Sequence, residues 1–347
     1  MQLEILTQEQ IREDCEQQLR SLKRTKRFLV AIDTDGCVTD NMNGKQMVVF
    51  HPQYMEFYQL WGIESYFREV AEYYNLFSVH RGCNRFLAVQ MTLAALHSRK
   101  DVREAAANAQ VALPDRKVVD DYVAWAAANN LGLGNLSLEK FLATRPLDLS
   151  VYKLLGWSEA VNRTFPFVNT KIPLFDGVRE ALALMAEHAD ILVVSQTPYD
   201  DLVNYWTAWG IEKFVCAIAG QEMGTKAHHI EVAKKAGGYA DDEVLMIGDG
   251  DGDLKAVKKN NGLFYPIPTG REEEAWRLFP ERFALVREKK YRGGVEDRLI
   301  GEFSEVLLKT PPWEKKGYDH TASYRQKQEI RRALYRQLNP DGKLLIL

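Results

Sequence analysis

Five short apolar runs, each followed by polar or glycine-rich residues, constrain the fold of this sequence more than any other feature. They lie at Phe28–Ile32, Ile191–Val194, Phe214–Ala219, Glu243–Ile247 and Leu263–Ile267. Unbroken runs of this length are typical of strands buried on both faces, as in a parallel sheet covered by helices. Helical patterns lie between these runs, over Val178–His188, Asp201–Trp209, Lys226–Ala236 and Asp253–Lys259. The alternation predicts an α/β fold with a Rossmann-like, doubly wound parallel sheet.

The segment between the first two runs is long and poor in strand-like sequence. An Asn43-Gly44 pair, followed by the apolar residues Met47–Phe50, predicts a hairpin whose return strand joins the sheet. The residues that follow are helical in character, which predicts an α-helical cap domain inserted after the first core strand. The predicted domains are an N-terminal helix over 1–25, a core over 26–50 and 170–270, the cap over 51–169, and a helical C-terminal extension over 271–347.

Composition and charge exclude several classes of protein. With 347 residues, of which 46% are hydrophobic, the chain can bury a large core and is not disordered. No apolar run is long enough to span a membrane and the polar N-terminus lacks a secretory pattern, so we expect a cytoplasmic protein without membrane partners. Its 45 basic and 48 acidic residues argue against nucleic acid as a partner. The widely spaced cysteines predict free thiols in a reducing compartment; they are Cys15, Cys37, Cys83 and Cys216.

Polar side chains follow three of the predicted strands. Because the carboxyl ends of parallel strands meet at one edge of a sheet, we expect these side chains to lie close together. Carboxylates packed in this way need a cation, and an all-oxygen set of ligands favours Mg²⁺ over zinc. The residues are Asp33 and Asp35 after the first run, Ser195 after the second, and Asp249, Asp251 and Asp253 after the fourth, with Lys226 at the start of the preceding helix.

Four motifs, taken in order, resemble those of the haloacid dehalogenase-like (HAD) superfamily. They are LVAIDTDGCV at the first run, VVSQT at the second, Lys226, and MIGDGDGD at the fourth. Each motif alone is weak, since DxDG also occurs in calcium-binding loops, but the four match in order and interval over about 26–50 and 170–270. Members of this superfamily mostly transfer phosphoryl groups through an aspartate, so the resemblance implies a hydrolase with a phosphatase-type site.

The resemblance, together with the chemistry of phosphoryl transfer, implies a role for each of these residues. Asp33 is the expected nucleophile, which forms an aspartyl-phosphate. Asp35 is the expected general acid, which protonates the leaving alkoxide and then deprotonates the attacking water. Ser195 and Lys226 are expected to bind the phosphate oxygens, and Gly36 to allow a tight turn whose amides face the same phosphate.

Mg²⁺ is the implied cofactor. The resemblance places the metal between the Asp33 carboxylate, the main-chain carbonyl of Asp35 and the Asp249 carboxylate. Asp253, one helical turn beyond Asp249, is expected to be an outer or water-mediated ligand. Asp251 receives no direct role, although spacing alone does not settle whether Asp251 or Asp253 lies nearer the metal.

The second aspartate, Asp35, separates classes within the superfamily. Haloacid dehalogenases lack it and phosphonatases replace it, so its presence favours hydrolysis of a phosphate monoester or phosphomutase chemistry. The sequence therefore predicts a Mg²⁺-dependent phosphatase that acts on a small phosphorylated metabolite. Two alternatives stay open: a phosphomutase acting on a sugar phosphate, and a non-catalytic partner-binding protein that keeps the HAD core.

Substrate specificity is expected to lie in the cap. Arg81 and Arg85 are four residues apart, which predicts that they share one helical face near its N-terminus and suit a second anionic group of the substrate. The alternative for this pair is a solvated charged face. A basic segment over 323–338 is predicted to be an exposed face or an intersubunit contact, so a homo-oligomer through the cap or the C-terminal extension is left open.

Overall fold

The computed structural model describes residues 3–338 of the chain. Two π-helical segments, Gly44–Phe50 and Tyr73–Phe77, lie among its helices. The strands and α-helices, in chain order, are α1 (Gln8–Asp14), α2 (Gln17–Arg20), β1 (Phe28–Ile32), α3 (Asn41–Asn43), α4 (His51–Tyr58), α5 (Glu64–Glu72), α6 (Arg85–Ser98), α7 (Lys100–Asn108), α8 (Lys117–Ala128), α9 (Asn135–Ala143), α10 (Leu149–Asn169), α11 (Val178–His188), β2 (Ala189–Val194), α12 (Tyr199–Ala208), β3 (Ala217–Ala219), α13 (Lys226–Gly237), β4 (Val244–Gly248), α14 (Asp251–Lys259), β5 (Leu263–Pro266), α15 (Glu272–Arg287), α16 (Gly294–Val306) and α17 (His320–Leu338).

The chain divides into two compact units. Unit 1 comprises the described part of Met1–Met42 together with Ile172–Leu307. Unit 2 comprises Asn43–Lys171 together with the described part of Leu308–Leu347. The segment 271–347, predicted as a single C-terminal extension, is therefore shared: α15 and α16 belong to unit 1, and α17 belongs to unit 2.

Aromatic side chains explain why α15 belongs to unit 1. Trp276, Phe279 and Phe283 are at most 1% exposed. The indole Nε1 of Trp276 donates a hydrogen bond to Cys37 O at 2.8 Å. Phe283 packs against Phe28 of β1 with ring centroids 6.4 Å apart. Burial of such rings is a large source of stability, so α15 is part of the core around the sheet.

Unit 1 is built on a five-stranded parallel sheet with the strand order β3-β2-β1-β4-β5. β1 lies in the centre, where Leu29 is aligned with Asp190 of β2 and with Val244 of β4. Every residue of the five strands is buried. The order runs outward from β1 in both directions, as in a doubly wound sheet, which confirms the predicted α/β fold class.

The N-terminal segment differs from the single helix predicted over 1–25. It forms the two short helices α1 and α2. Thr7 caps α1 by accepting a hydrogen bond from Gln10 N at 3.3 Å, and the Gln10 side chain accepts one from Thr7 N at 2.8 Å. Leu19 and Leu22 are buried, so packing rather than helix length holds this segment.

Unit 2 is helical, and the predicted hairpin at Asn43-Gly44 is wrong. The chain is helical from Asn41 to Tyr58, through α3, the π-helical Gly44–Phe50 and α4. Met47 and Phe50, which were expected to lie on a return strand, are buried instead in this helical unit. The turn preference of Asn-Gly is a local signal, and burial of the neighbouring apolar residues overrides it. No described helix is long and apolar enough to span a membrane.

The last helix, α17, is bound to α5 through buried charges. Nε of Arg331 donates to Glu72 Oε1 at 3.0 Å, and both side chains are nearly inaccessible. Burial raises the pKa of the Glu72 carboxyl, while the nearby Arg331 and Lys327 oppose that rise. His320 stacks on Tyr66 with ring centroids 3.9 Å apart. Two basic residues of the segment 323–338, Lys327 and Arg331, therefore form contacts within unit 2.

We predict that Arg331→Met destabilises the protein by about 1–3 kcal/mol, because the buried Glu72 carboxylate loses its hydrogen-bonded partner and keeps the more distant ammonium of Lys327, 3.9 Å away. Chemical denaturation of the full chain measures this loss. Arg332→Met is the matched control on the same helix, since Arg332 is exposed and forms an ion pair with Glu329, which is also exposed. We expect no measurable change for the control. Equal stability of the two variants would contradict a structural role for the Arg331–Glu72 pair.

Candidate active site

Three carboxylates meet at the carboxyl ends of β1 and β4. Asp33 directly follows β1, Asp249 directly follows β4, and Asp253 lies in the first turn of α14. All three are at most 5% exposed, and one carboxylate oxygen from each lies within 4.8 Å of the others. β1 and β4 are neighbours in the sheet, and Asp33 N donates to Ile247 O at 3.0 Å. The strand order therefore brings together residues that lie more than 200 positions apart in the sequence.

The ammonium of Lys226 bridges two of these carboxylates. Its Nζ lies 2.6 Å from Asp33 Oδ2 and 2.6 Å from Asp253 Oδ1, with 17% of the side chain exposed. Lys226 is the first residue of α13, because Thr225 caps this helix by accepting a hydrogen bond from His228 N at 3.3 Å. The helix start thus fixes the position of the cation in the cluster.

Burial shapes the electrostatics of this cluster. It raises the pKa of Asp33 to about 7, and the negative charges of Asp253 and Asp35 add to the rise while Lys226 opposes it. Burial likewise raises the pKa of Asp253. It disfavours the charged form of Lys226, but the two adjacent carboxylates outweigh that effect, so the pKa of Lys226 is raised. One ammonium among three buried carboxylates leaves excess negative charge, which suits a divalent cation with oxygen ligands.

Three glycines shape the backbone around these side chains. A Cβ atom at Gly248 would lie 2.5 Å from Asp253 Cβ, so a larger residue there would displace this carboxylate. Gly250 N donates to Asp253 Oδ2 at 3.1 Å and orients it. Gly36 has φ of +76°, a left-handed conformation that favours glycine in the turn after Asp33.

The turn after β1 also orients Asp35. Nδ2 of Asn41 donates to Asp35 Oδ1, and Oγ1 of Thr197 donates to Asp35 Oδ2 at 2.9 Å. The Gly36 amide, which we predicted to face the phosphate, donates within its own loop, to Thr39 O at 3.1 Å and Asn41 Oδ1 at 2.9 Å. The structure therefore assigns this amide to the turn and places two donors on the Asp35 carboxylate.

Ser195 and Asp251 occupy different positions relative to the cluster. Ser195 follows β2 and is buried, its N donates to Ala219 O at 3.0 Å, and its Oγ accepts a hydrogen bond from Thr197 N at 3.2 Å. Asp251 forms an ion pair with Lys255 at 2.5 Å on the partly exposed side of α14. Asp253, rather than Asp251, belongs to the carboxylate cluster.

Arg81 and Arg85 lie in unit 2 and do not share a helical face, so that prediction is wrong. Asn84 caps α6, and α6 begins only at Arg85. Arg81 is buried in the preceding turn, where its Nη1 donates to Leu76 O at 3.1 Å. Arg85 Nη1 donates to Ser158 O at 3.1 Å, and its guanidinium lies 4.8 Å from the ring centroid of Phe50. Because Asn84 is the N-cap, the helix begins after Arg81, and the four-residue spacing of the two arginines does not place them on one helical face. A role of either arginine towards substrate stays a prediction.

Sequence reasoning missed Asn41 and Thr197. Thr197 follows Ser195 by two residues at the end of β2, and this spacing was a signal that it faces the same edge of the sheet. Asn41 carried no comparable signal, because its contact with Asp35 depends on the turn at Gly36 and on the helical path that replaces the predicted hairpin.

Comparisons with known proteins give structural similarities only. No protein-family model matches the sequence, and no curated protein matches it. Among solved structures, the chain is similar to a haloacid dehalogenase-like hydrolase from Xanthomonas campestris, with 11% identity, 78% of this chain and 97% of that chain covered, and a TM-score of 0.42. It is similar to a putative phosphoglycolate phosphatase from Lactobacillus delbrueckii, with 12% identity, coverage of 69% and 85%, and a TM-score of 0.40. It is also similar to a haloacid dehalogenase-like hydrolase from Streptococcus pneumoniae, with 12% identity, coverage of 73% and 92%, and a TM-score of 0.39.

We predict that Lys226→Met destabilises the metal-free protein by about 3–5 kcal/mol, because it leaves two buried carboxylates without their cation. Chemical denaturation in the presence of a chelator measures this loss. Adding Asp33→Asn to Lys226→Met should restore much of it, because the substitution removes one of the repelling charges.

Lys255→Met is the matched control for this experiment. Lys255 also pairs with an aspartate of α14, but 76% of its side chain is exposed, so we expect no measurable change. Equal stability of Lys226→Met and Lys255→Met would contradict the view that the ammonium of Lys226 holds the cluster together.

Proposed function

We propose that this protein is a Mg²⁺-dependent phosphatase, which hydrolyses a small phosphate monoester through an aspartyl-phosphate on Asp33. The observation that carries this proposal is the buried cluster in which Lys226 bridges Asp33 and Asp253. Asp35 lies two residues beyond Asp33 with both of its carboxylate oxygens hydrogen-bonded. The resemblance of the motifs to the HAD superfamily supports the same reaction.

Asp33 is suited to the role of nucleophile by the way its two oxygens are held. Oδ1 accepts a hydrogen bond from Thr34 N at 2.7 Å, and Oδ2 lies against the Lys226 ammonium. In the first step a carboxylate oxygen of Asp33 forms a bond to phosphorus while the bond from phosphorus to the leaving oxygen breaks. Fixing the carboxylate in this way reduces the entropy lost on reaching the transition state.

Asp35 is the residue proposed to transfer a proton in each of the two steps. It donates a proton to the leaving oxygen, so that the product is a neutral alcohol. It then accepts a proton from a water molecule, whose oxygen attacks phosphorus and releases inorganic phosphate and free Asp33. Ser195 and Lys226 are the side chains proposed to bind the non-bridging oxygens, where negative charge must be stabilised.

The residues present fit the proposed metal. Asp33 and Asp249 would hold Mg²⁺ together with the main-chain carbonyl of Asp35, and Asp253 would act as an outer ligand that also holds Lys226. When bound, the ion neutralises carboxylate and phosphate charge in the transition state. The excess negative charge of the buried cluster is the feature of this chain that supports such an ion.

The function is tested by phosphate release from a panel of phosphorylated hydroxy acids, sugar phosphates and nucleoside monophosphates. We expect release that requires Mg²⁺, stops with a chelator, and falls to background in Asp33→Asn, because this substitution removes the nucleophile. Isomerised sugar phosphate with little free phosphate would indicate a mutase instead. No turnover of any compound would contradict the proposed phosphatase.

We also predict that Mg²⁺ stabilises the protein more at pH 8 than at pH 6. The pKa of Asp33 in the metal-free fold is about 7, well above its ordinary value, so a proton competes with the metal at pH 6. For the same reason, the contribution of Asp33 to metal-free stability is lost as pH rises towards about 7, where the buried carboxyl ionises. Thermal unfolding with Mg²⁺ or chelator at the two pH values measures both effects.

Asp33→Asn is the control for this pH dependence, because its side chain does not titrate. In this variant the remaining effect of Mg²⁺ should be small and should differ less between the two pH values. An equal rise in melting temperature at pH 6 and pH 8 for the unchanged protein would contradict Asp33 as a metal ligand.

A further inference from the structure

We propose that Asn41 and Thr197 are positioning residues for Asp35, which hold its carboxylate in the orientation that proton exchange with the leaving group requires. This inference rests on the proposed phosphatase function. It assigns a role to two side chains for which the sequence motifs implied none.

The amide of Asn41 is held in one orientation. The residue is fully buried, and its Oδ1 accepts a hydrogen bond from Gly36 N at 2.9 Å. Its Nδ2 therefore points the other way, and it donates to Asp35 Oδ1. Turning the amide over would place its NH₂ group against the N–H of Gly36, where two donors would face each other.

The hydroxyl of Thr197 lies on the other oxygen of the same carboxylate. Thr197 is buried, and its Oγ1 donates to Asp35 Oδ2 at 2.9 Å. Its backbone is fixed on both sides, because Thr197 N donates to Ser195 Oγ at 3.2 Å and Thr197 O accepts from Gln221 N at 3.1 Å. Two separate elements, the turn after β1 and the end of β2, thus fix the plane of the Asp35 carboxylate.

Asn41 and Thr197 differ in the hydrogen bonds that they can form with the Asp35 carboxylate. The Asn41 NH₂ group can only donate, so it holds Asp35 Oδ1 as an acceptor. The Thr197 hydroxyl can donate to a carboxylate and can rotate to accept from a carboxylic acid. Together the two contacts hold the plane of the carboxylate while Asp35 gives its proton to the leaving oxygen in the first step and takes one from water in the second.

Leaving groups of different basicity separate this role from a general structural one. An alkyl phosphate needs a proton donor, because its alkoxide is a poor leaving group, whereas 4-nitrophenyl phosphate leaves as a stable phenolate without one. We expect Thr197→Val to lower kcat/KM for an alkyl phosphate by about 10- to 100-fold and to change kcat/KM for 4-nitrophenyl phosphate by less than about 3-fold. Asn41→Leu should show the same selectivity.

Three further variants complete the test. Thr197→Ser keeps the hydroxyl and should restore the alkyl phosphate rate to within about 3-fold of the original enzyme. Thr197→Val should have no additional effect in an Asp35→Asn background, because a positioning residue acts only through the group that it positions. Thr39→Val is the matched control: Thr39 is buried in the same turn, and its hydroxyl has no hydrogen-bond partner among residues 3–338. The control should leave both substrates unaffected.

The outcomes distinguish this inference from the function on which it rests. If the unchanged enzyme hydrolyses neither substrate with Mg²⁺, the proposed phosphatase function fails. If it hydrolyses both, but Thr197→Val slows the two substrates equally, the inference is overturned while the function stands. The same conclusion follows if Thr197→Ser is no better than Thr197→Val. Should Asn41→Leu fail to fold, the Thr197 variants decide the matter alone.

Discussion

The contact of one ammonium with two buried carboxylates is the interaction on which the site of this protein depends. Lys226 stands 2.6 Å from an oxygen of Asp33 and 2.6 Å from an oxygen of Asp253, at a place where burial raises the pKa of both acids. Without this cation the carboxylates would repel one another or take up protons. With it the cluster still holds more negative than positive charge, an imbalance that a bound divalent cation would neutralise.

The parallel sheet and the helices after its strands bring Lys226 and the carboxylates together. Central β1 and its neighbour β4 end side by side, so the residues after them, Asp33 and Asp249, must share one edge. Helix α13 delivers Lys226 as its first residue, and the close approach permitted by Gly248 leaves room for Asp253. The turn at Gly36 and the end of β2 add hydrogen bonds that fix Asp35. A fully buried sheet thus supplies the preorganisation that the proposed phosphoryl transfer would require.

Local sequence patterns predicted most of the structure of unit 1 and much less of the structure of unit 2. The apolar runs of β1 and β4 predicted strands because only a sheet covered on both faces buries such runs, and the acids after them followed from the geometry of parallel strands. The hairpin at Asn43-Gly44 was wrong because a two-residue turn signal is weaker than burial of its apolar neighbours. Arg81 was misplaced because a cap at Asn84 decides where α6 begins. The contact of Thr197 with Asp35 joins two segments that are distant in sequence, and the contact of Asn41 with Asp35 depends on the turn at Gly36, so local sequence patterns predicted neither contact.

The central claim is that phosphoryl transfer passes through Asp33, and trapping the intermediate tests it most directly. Asp35→Asn should slow attack of water on the aspartyl-phosphate, while 4-nitrophenyl phosphate still reacts because its leaving group needs no proton. Rapid mixing with Mg²⁺ and this substrate, followed by an acid quench and mass spectrometry of the peptides, measures the adduct. The account predicts one phosphoryl group on Asp33, absent when Asp33 is replaced by asparagine. Turnover by the unchanged enzyme without a phosphoryl group on Asp33 in the trapped variant would contradict it.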